Sequence, residues 1–118
     1  MERRILVVDD EPYIREVLIQ RLRNRAYAVE GAIDGEDALV KLAAGRFDLV
    51  ILDLLMPKTG GVDVLHTLER ATWAPPVIVL SGLAELWKRH HDDSPVVAAL
   101  QKPVEFDRLV RAIESAFR

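Results

Sequence analysis

Five short apolar runs, each bounded by turn or helix-start signals, constrain the fold of this chain more than any other feature. The runs are 5–8, 28–29, 49–52, 77–80 and 96–100. All except the second are continuous rather than alternating, which is the pattern of strands that are buried on both faces of a parallel sheet. The second run is weaker, and we expect it at an edge. The runs therefore predict a parallel sheet with helices on each side.

The segments between and after these runs carry the helical period. The most complete pattern is the last, formed by Phe106, Leu109, Val110, Ile113 and Phe117. Three earlier apolar faces are formed by Ile14, Val17, Leu18 and Leu22, by Ala38, Leu39 and Leu42, and by Leu65 and Leu68. We also expect a short fourth helix that follows Leu83 and ends at Ser94-Pro95. Alternating strands and helices predict a doubly wound five-stranded α/β sandwich, because right-handed crossovers place helices on both faces.

Composition excludes several classes of protein. The chain has 118 residues, enough for one domain, and 50% hydrophobic with 30% charged residues is ordinary globular composition. No run approaches the roughly 18 apolar residues of a membrane span, and the chain start lacks the hydrophobic stretch of a secretory signal. The absence of cysteine excludes disulfides and thiolate metal sites, and a net charge of −3 argues against nucleic-acid binding. We expect one cytoplasmic domain over residues 1–118, without direct contact with membrane or nucleic acid.

Polar residues follow four of the predicted strands. Asp9 and Asp10 follow the first, Asp53 the third, Ser81 the fourth and Lys102 the fifth. Taken singly, an Asp here is often a helix N-cap, a Ser a cap or turn residue, and a Lys solvated surface. In an open parallel sheet, however, ligands bind outside the carboxyl ends of the strands. The shared position of these residues therefore favours one site.

Three carboxylates in one cleft repel each other and need positive charge. Lys102 supplies one cation, and oxygen ligands without His or Cys suit a hard divalent ion such as Mg²⁺. A carboxylate can attack phosphorus, while a metal and a lysine neutralise the transferring group and a hydroxyl binds one of its oxygens. The residues predict a magnesium-dependent phosphoryl-transfer site.

The order and spacing of these motifs resemble the receiver domain of two-component response regulators. The resemblance rests on Ile5-Leu6-Val7-Val8-Asp9-Asp10-Glu11-Pro12, on Asp53-Leu54-Leu55-Met56-Pro57 followed by Gly61, on Ser81, and on Leu100-Gln101-Lys102-Pro103. It covers essentially the whole chain. It implies a flavodoxin-like three-layer α/β/α sandwich with strand order 2-1-3-4-5 and a cis Lys102-Pro103 peptide bond.

The resemblance implies a role for each acidic residue. Asp53 would be the phosphoacceptor. Asp10 and Asp53 would bind Mg²⁺, with Asp9 helping directly or through water and the backbone carbonyl of Leu55 completing the protein ligands.

The resemblance also implies partners. Lys102 would pair with Asp53 or its phosphate, and Ser81 would bond a phosphoryl oxygen. The phosphoryl group would come from a phosphohistidine of a sensor histidine kinase or a phosphotransfer protein. The switch would control a partner or output domain through the face of the predicted fourth helix, fifth strand and fifth helix, where homodimers are also possible. Such a domain catalyses only its own phosphorylation and dephosphorylation and is not a turnover enzyme.

Four positions bear on how such a switch would work here. Ala99 stands where receivers commonly carry Tyr or Phe, and Gly82 stands where Ala is frequent. Signal output would then depend on the segment after Ser81 and on the predicted fourth helix. The apolar Leu55 and Leu83 would border the hydrolytic water, which predicts slow loss of the phosphoryl group.

Two other functions remain open. A phosphohydrolase resembling haloacid dehalogenases would carry Asp-x-Asp-x-Thr after the first strand, and Asp9-Asp10-Glu11-Pro12 does not fit this motif. A degenerate receiver would act as an interaction module without phosphorylation, and Ala99 keeps this alternative open. His90-His91-Asp92-Asp93 is interpreted as a solvated helix end rather than a metal site, because adjacent residues on a helix point to different sides.

Overall fold

Strands and helices alternate along the chain in the computed structural model, which describes residues 2–54, 60–82 and 95–118. The strands are β1 (Arg4–Val8), β2 (Ala28–Ala32), β3 (Leu49–Leu52), β4 (Val77–Ser81) and β5 (Val96–Gln101). The helices are α1 (Pro12–Arg23), α2 (Gly35–Ala44), α3 (Gly61–Glu69) and the C-terminal helix (Phe106–Ala116). The predicted fourth helix, the segment His90–Asp93, Leu55 and Leu83 lie outside the described residues. None of the helices in the described ranges is both long and apolar enough to cross a membrane.

The five strands form one parallel sheet in the order β2-β1-β3-β4-β5. This order confirms the doubly wound α/β prediction. β2 is an edge strand, as its weak apolar run predicted, although its pairing with β1 continues to Ala32.

Two apolar layers cover the faces of the sheet. Successive strand residues point to opposite faces, so each buried strand supplies both layers. One layer joins Leu6, Val8, Val50 and Leu52 to Ala38 and Leu42 of α2 and to Val64, Leu65 and Leu68 of α3. The other joins Ile5, Val7, Leu49 and Ile51 to Ile19 and Leu22 of α1 and to Leu109 and Ile113 of the C-terminal helix. Each fully buried Leu or Ile contributes roughly 1.5–3 kcal/mol of transfer free energy, and together the layers form the predicted three-layer sandwich.

The start of each of the first two helices is set by local sequence. Pro12 occupies the first turn of α1, where its missing N–H costs no hydrogen bond. Asp34 caps α2, because its side chain accepts a hydrogen bond from the Asp37 backbone N–H at 2.8 Å. Such a cap contributes about 1 kcal/mol.

Two burial predictions are wrong. Val17 of α1 is 36% exposed, while Ile19 is buried, because its side chain lies against Gly31 of β2, where there is no Cβ. In β5 the continuous run is not buried on both faces, since Val97 is 54% exposed. β5 is an edge strand and has a neighbouring strand on one side only.

Candidate metal centre

The carboxylates of the site lie at the carboxyl end of two central strands. Val8 of β1 pairs with Leu52 of β3, so Asp9 and Asp53, which follow them, are neighbours. The Asp53 backbone N–H donates to the Val8 carbonyl at 3.0 Å. One carboxylate oxygen from each of Asp9, Asp10 and Asp53 lies within 4.8 Å of the others. The predicted acidic cluster therefore forms, with Asp9 and Asp53 buried and Asp10 half-buried.

Asp9 contacts both the residue that precedes α1 and the cleft, but the N-cap of α1 is Glu11 and not Asp9. Its Oδ1 accepts a hydrogen bond from the Glu11 backbone N–H at 3.0 Å, next to the start of α1. Its Oδ2 faces the cleft and accepts from Lys102 Nζ at 3.1 Å. Arg15 of α1 adds a contact that the sequence did not reveal, because its Nη1 donates to the Asp9 carbonyl at 2.8 Å. Hydrogen bonds to the side chain and to the carbonyl of Asp9 thus hold the β1–α1 connection.

Lys102 lies between two carboxylates. Its Nζ is 3.1 Å from Asp9 Oδ2 and 3.3 Å from Asp53 Oδ2, and its side chain is 24% exposed. Burial lowers the pKa of Lys102, but the hydrogen bond to Asp9 and the charges of Asp53 and Asp9 outweigh burial and raise this pKa above its ordinary value. Lys102 is therefore charged at neutral pH. The Lys102-Pro103 peptide bond is cis, as the resemblance implied.

Asp10 differs from the other two carboxylates in its contacts. Within residues 2–54, 60–82 and 95–118, no hydrogen bond or ion pair reaches its side chain. Among the described residues, this half-buried carboxylate without a partner lies beside two more carboxylates and one ammonium group, which leaves negative charge for a cation to balance. The donors are all oxygen, with no His or Cys in the cluster, which fits Mg²⁺.

Ser81 lies at the same edge of the sheet. It is the last residue of β4, the strand next to β3, and it is buried. Its carbonyl accepts from the Lys102 backbone N–H at 3.0 Å. β5 therefore joins the backbone of Ser81 to the lysine of the site.

Gly61 shows why the segment after Asp53 needs a glycine. A Cβ at residue 61 would overlap the Asp53 carbonyl and come within 2.6 Å of the Leu54 Cα. Because these atoms belong to the backbone, they cannot rotate away as a side chain could. The start of α3 therefore packs directly on the strand end that carries Asp53.

Comparison with known proteins identifies the family. Residues 5–114 match the family model for the response regulator receiver domain. The chain belongs to this family. Within its described residues, this receiver domain brings together Asp9, Asp10, Asp53 and Lys102 as predicted. Ser81 lies at the same edge of the sheet. Leu55 lies outside the described residues, so its carbonyl remains a predicted ligand.

Relatives of this receiver domain include longer regulators. It is 34% identical over 111 residues to the transcriptional regulatory protein DltR of Streptococcus agalactiae, covering 93% of this chain and 50% of DltR. It is 34% identical over 119 residues to the response regulator MprA of Mycobacterium bovis, covering 100% of this chain and 52% of MprA. The chain thus spans about half the length of these curated relatives.

Solved structures have the same fold. The response regulator TrrA of Thermotoga maritima, crystallised in complex with Mg(2+)-BeF, is 33% identical with a TM-score of 0.86, covering 97% of this chain and 98% of TrrA. The chemotaxis protein CheY4 of Vibrio cholerae is 26% identical with a TM-score of 0.88, covering 98% of this chain and 99% of CheY4.

Proposed function

We propose that this receiver domain is a phosphorylation-dependent signalling switch in which Asp53 accepts the phosphoryl group. The observation that carries the proposal is the position of Asp53 Oδ2, 3.3 Å from Lys102 Nζ and beside two further carboxylates. A carboxylate in this position can act as a nucleophile, and the ammonium group can stabilise negative oxygens on phosphorus.

The proposed reaction balances without a redox partner. A carboxylate oxygen of Asp53 forms a bond to phosphorus, and the bond between phosphorus and the donor's leaving atom breaks. The electron pair of that bond goes to an imidazole nitrogen when the donor is phosphohistidine, or to an acetate oxygen when it is acetyl phosphate. Lys102 then pairs with the phosphoryl group, and the Ser81 hydroxyl donates to one of its oxygens.

Asp10 and Asp53 would hold Mg²⁺, with Asp9 helping directly or through water and the Leu55 carbonyl as a further ligand. The bound ion would supply positive charge to the transferring group. Two observations support this assignment: the all-oxygen donor set of this chain, and the Mg(2+)-BeF complex of its relative TrrA.

The phosphoryl donor is, in this proposal, a sensor histidine kinase or a phosphotransfer protein in the cytoplasm. The longer regulators DltR and MprA support an output partner, either a further domain or a separate protein. The face that includes β5 and the C-terminal helix is the proposed contact with that partner or with a second copy. The domain would catalyse its own phosphorylation and a slow dephosphorylation, without turnover of an external substrate.

One observation favours a second function, a phosphorylation-independent interaction module. Ala99 of β5 is buried, 4% exposed, where receivers commonly carry an aromatic ring. A domain that lacks this ring could bind a partner through a fixed surface.

The mass of the intact protein separates these functions. After incubation with acetyl phosphate and Mg²⁺, we expect a gain of about 80 Da, the mass of one phosphoryl group. The gain should disappear in Asp53→Asn and persist in Asp48→Asn, a control at the opposite end of the sheet. An unchanged wild-type mass would support the interaction module instead, and a gain retained by Asp53→Asn would show that Asp53 is not the acceptor.

A further inference from the structure

The side chain of Gln101 joins the end of β5 to the residue that follows β4. Its Nε2 donates a hydrogen bond to the Gly82 carbonyl. Gln101 pairs with Ser81 in the β4–β5 register, and the Lys102 backbone N–H donates to the Ser81 carbonyl at 3.0 Å. β5 therefore holds the carbonyls of two successive residues, Ser81 with its backbone and Gly82 with a side chain.

The described residues pack little against Gly82. The residue is exposed, and within the described part of the chain no heavy atom lies within 4 Å of the place where its Cβ would be. Glycine also has the widest range of backbone conformations. The amide of Gln101 is thus a specific restraint on an otherwise permissive peptide.

This restraint lies beside the groups that would contact the phosphoryl group. Gln101 precedes Lys102, whose Nζ lies 3.3 Å from Asp53 Oδ2, and Gly82 follows the buried Ser81. With both carbonyls held by residues 101–102, the backbone of Ser81 keeps a fixed position relative to the backbone of Lys102. Small displacements of groups that contact a reacting centre can reduce rates strongly.

We propose that Gln101 is a positioning residue for phosphoryl transfer: its amide group fixes the backbone of residues 81–82 so that the Ser81 hydroxyl is placed to bind a phosphoryl oxygen. The inference rests on the proposed function and deepens it. Gln101 acts through Ser81 rather than on phosphorus.

The first test compares rates of phosphorylation by acetyl phosphate in Mg²⁺, followed by intact mass. Gln101→Leu keeps the size of the side chain and removes the donor, whereas Gln101→Glu keeps its shape and replaces the donor with an acceptor. We expect both variants to react about three- to tenfold more slowly, the range that loss of one hydrogen bond gives. Gln20→Leu, an exposed glutamine of α1, is the matched control and should react at the wild-type rate.

The second test asks whether the effect passes through residues 81–82. In a Ser81→Ala background, Gln101→Leu should cause no further slowing. In a Gly82→Ala background, part of the loss should be recovered, because the added Cβ meets none of the described residues and restricts the backbone. Loss of stability alone would produce neither pattern, and urea unfolding of each variant measures stability separately.

Two results would overturn the inference: a wild-type rate in both Gln101 variants, or equal slowing by Gln101→Leu with and without the Ser81 hydroxyl. If Gln101→Leu does not fold, the inference is tested by the phosphorylation rate of Gln101→Glu, which preserves size and polarity. A wild-type chain that gains no mass would refute the proposed function itself. If the wild-type chain gains mass and both Gln101 variants react at the wild-type rate, only this inference is refuted.

Discussion

Charged groups make different contacts at the two ends of the sheet. At the amino end, the Arg4 guanidinium donates to Glu30 Oε2 at 2.6 Å and to the Arg46 carbonyl at 2.8 Å, and it packs over the Phe47 ring at 4.6 Å. The Arg4 backbone N–H also donates to Asp48 Oδ2 at 2.8 Å. Each of these charged groups has a partner within the chain, and the cluster stabilises the fold.

At the carboxyl end, the three described carboxylates of the cluster outnumber Lys102, the described cation that pairs with two of them. Asp9 and Asp53 share the ammonium group of Lys102, and the Asp10 side chain has no partner among the described residues. Among the described residues, the charged groups at the amino end pair with one another, whereas those at the carboxyl end carry an excess of negative charge.

A groove at the amino end of the sheet lies away from the acidic cluster. A groove of about 730 Å³ lies at the amino end, lined among others by Phe47, Trp73 and Pro75. Phosphoryl transfer depends on charged groups that converge on one atom rather than on enclosed volume. The proposed function therefore assigns the chemistry to the end where the carboxylates converge.

The sharpest test of this comparison removes one cation from each end. Lys102→Met should slow phosphorylation by acetyl phosphate about 100- to 1000-fold, because it removes a charge that faces the transferring group. Arg4→Met should leave this rate unchanged and lower the free energy of unfolding by about 1–2 kcal/mol, through loss of its hydrogen bonds. Rates from intact mass and stabilities from urea unfolding check both. If phosphorylation slowed to a similar extent in both variants, the proposed difference between the two ends of the sheet would be wrong.

A second test concerns the carboxylate without a described partner. Mg²⁺ at about 100 times its Kd should stabilise the wild type by about 2.7 kcal/mol, and Asp10→Asn should lose most of that gain. Without metal, Asp10→Asn should be as stable as the wild type or more stable by about 1 kcal/mol, since a like charge is removed. Asp48→Asn at the amino end should keep the full response to Mg²⁺. Equal stabilisation of Asp10→Asn and wild type, measured by thermal unfolding, would contradict a role in metal binding.

The smallest effect is expected at a strained residue of the amino end. Ala26, between α1 and β2, has a φ of 67°, which costs a residue with a Cβ more than it costs glycine. Ala26→Gly should raise the free energy of unfolding by about 0.5–1 kcal/mol without changing the phosphorylation rate. Ala43→Gly, in helix α2, should lower it by about 1 kcal/mol. Loss of stability in both variants would show that Ala26 is not strained.

The fold and the acidic cluster could be predicted because buried parallel strands leave a strong sequence signal. Continuous apolar runs located the strands, and the residues that follow them were necessarily at one edge of the sheet. Asp9, Asp53 and Lys102 were found in this way. Their convergence depends on topology alone, so no side-chain detail was needed.

Other features depend on side-chain detail that no periodicity encodes. Arg15 and Gln101 act through hydrogen bonds from a side chain to a backbone carbonyl, and Gln101 is 19 residues away from its partner in sequence. Ile19 is buried because a glycine lies opposite it, and Val97 is exposed because its strand is at an edge. These outcomes follow from neighbours that are set only after the strands have paired.

The two glycines of the site impose opposite constraints on sequence change. None of the described residues would meet a Cβ at position 82, whereas any side chain at position 61 would collide with the backbone of Asp53 and Leu54. Variation among descendants of this chain should therefore be tolerated at one glycine and eliminated at the other. Because the start of α3 touches the Asp53 peptide without an intervening side chain, a displacement of that peptide would move the start of the helix directly.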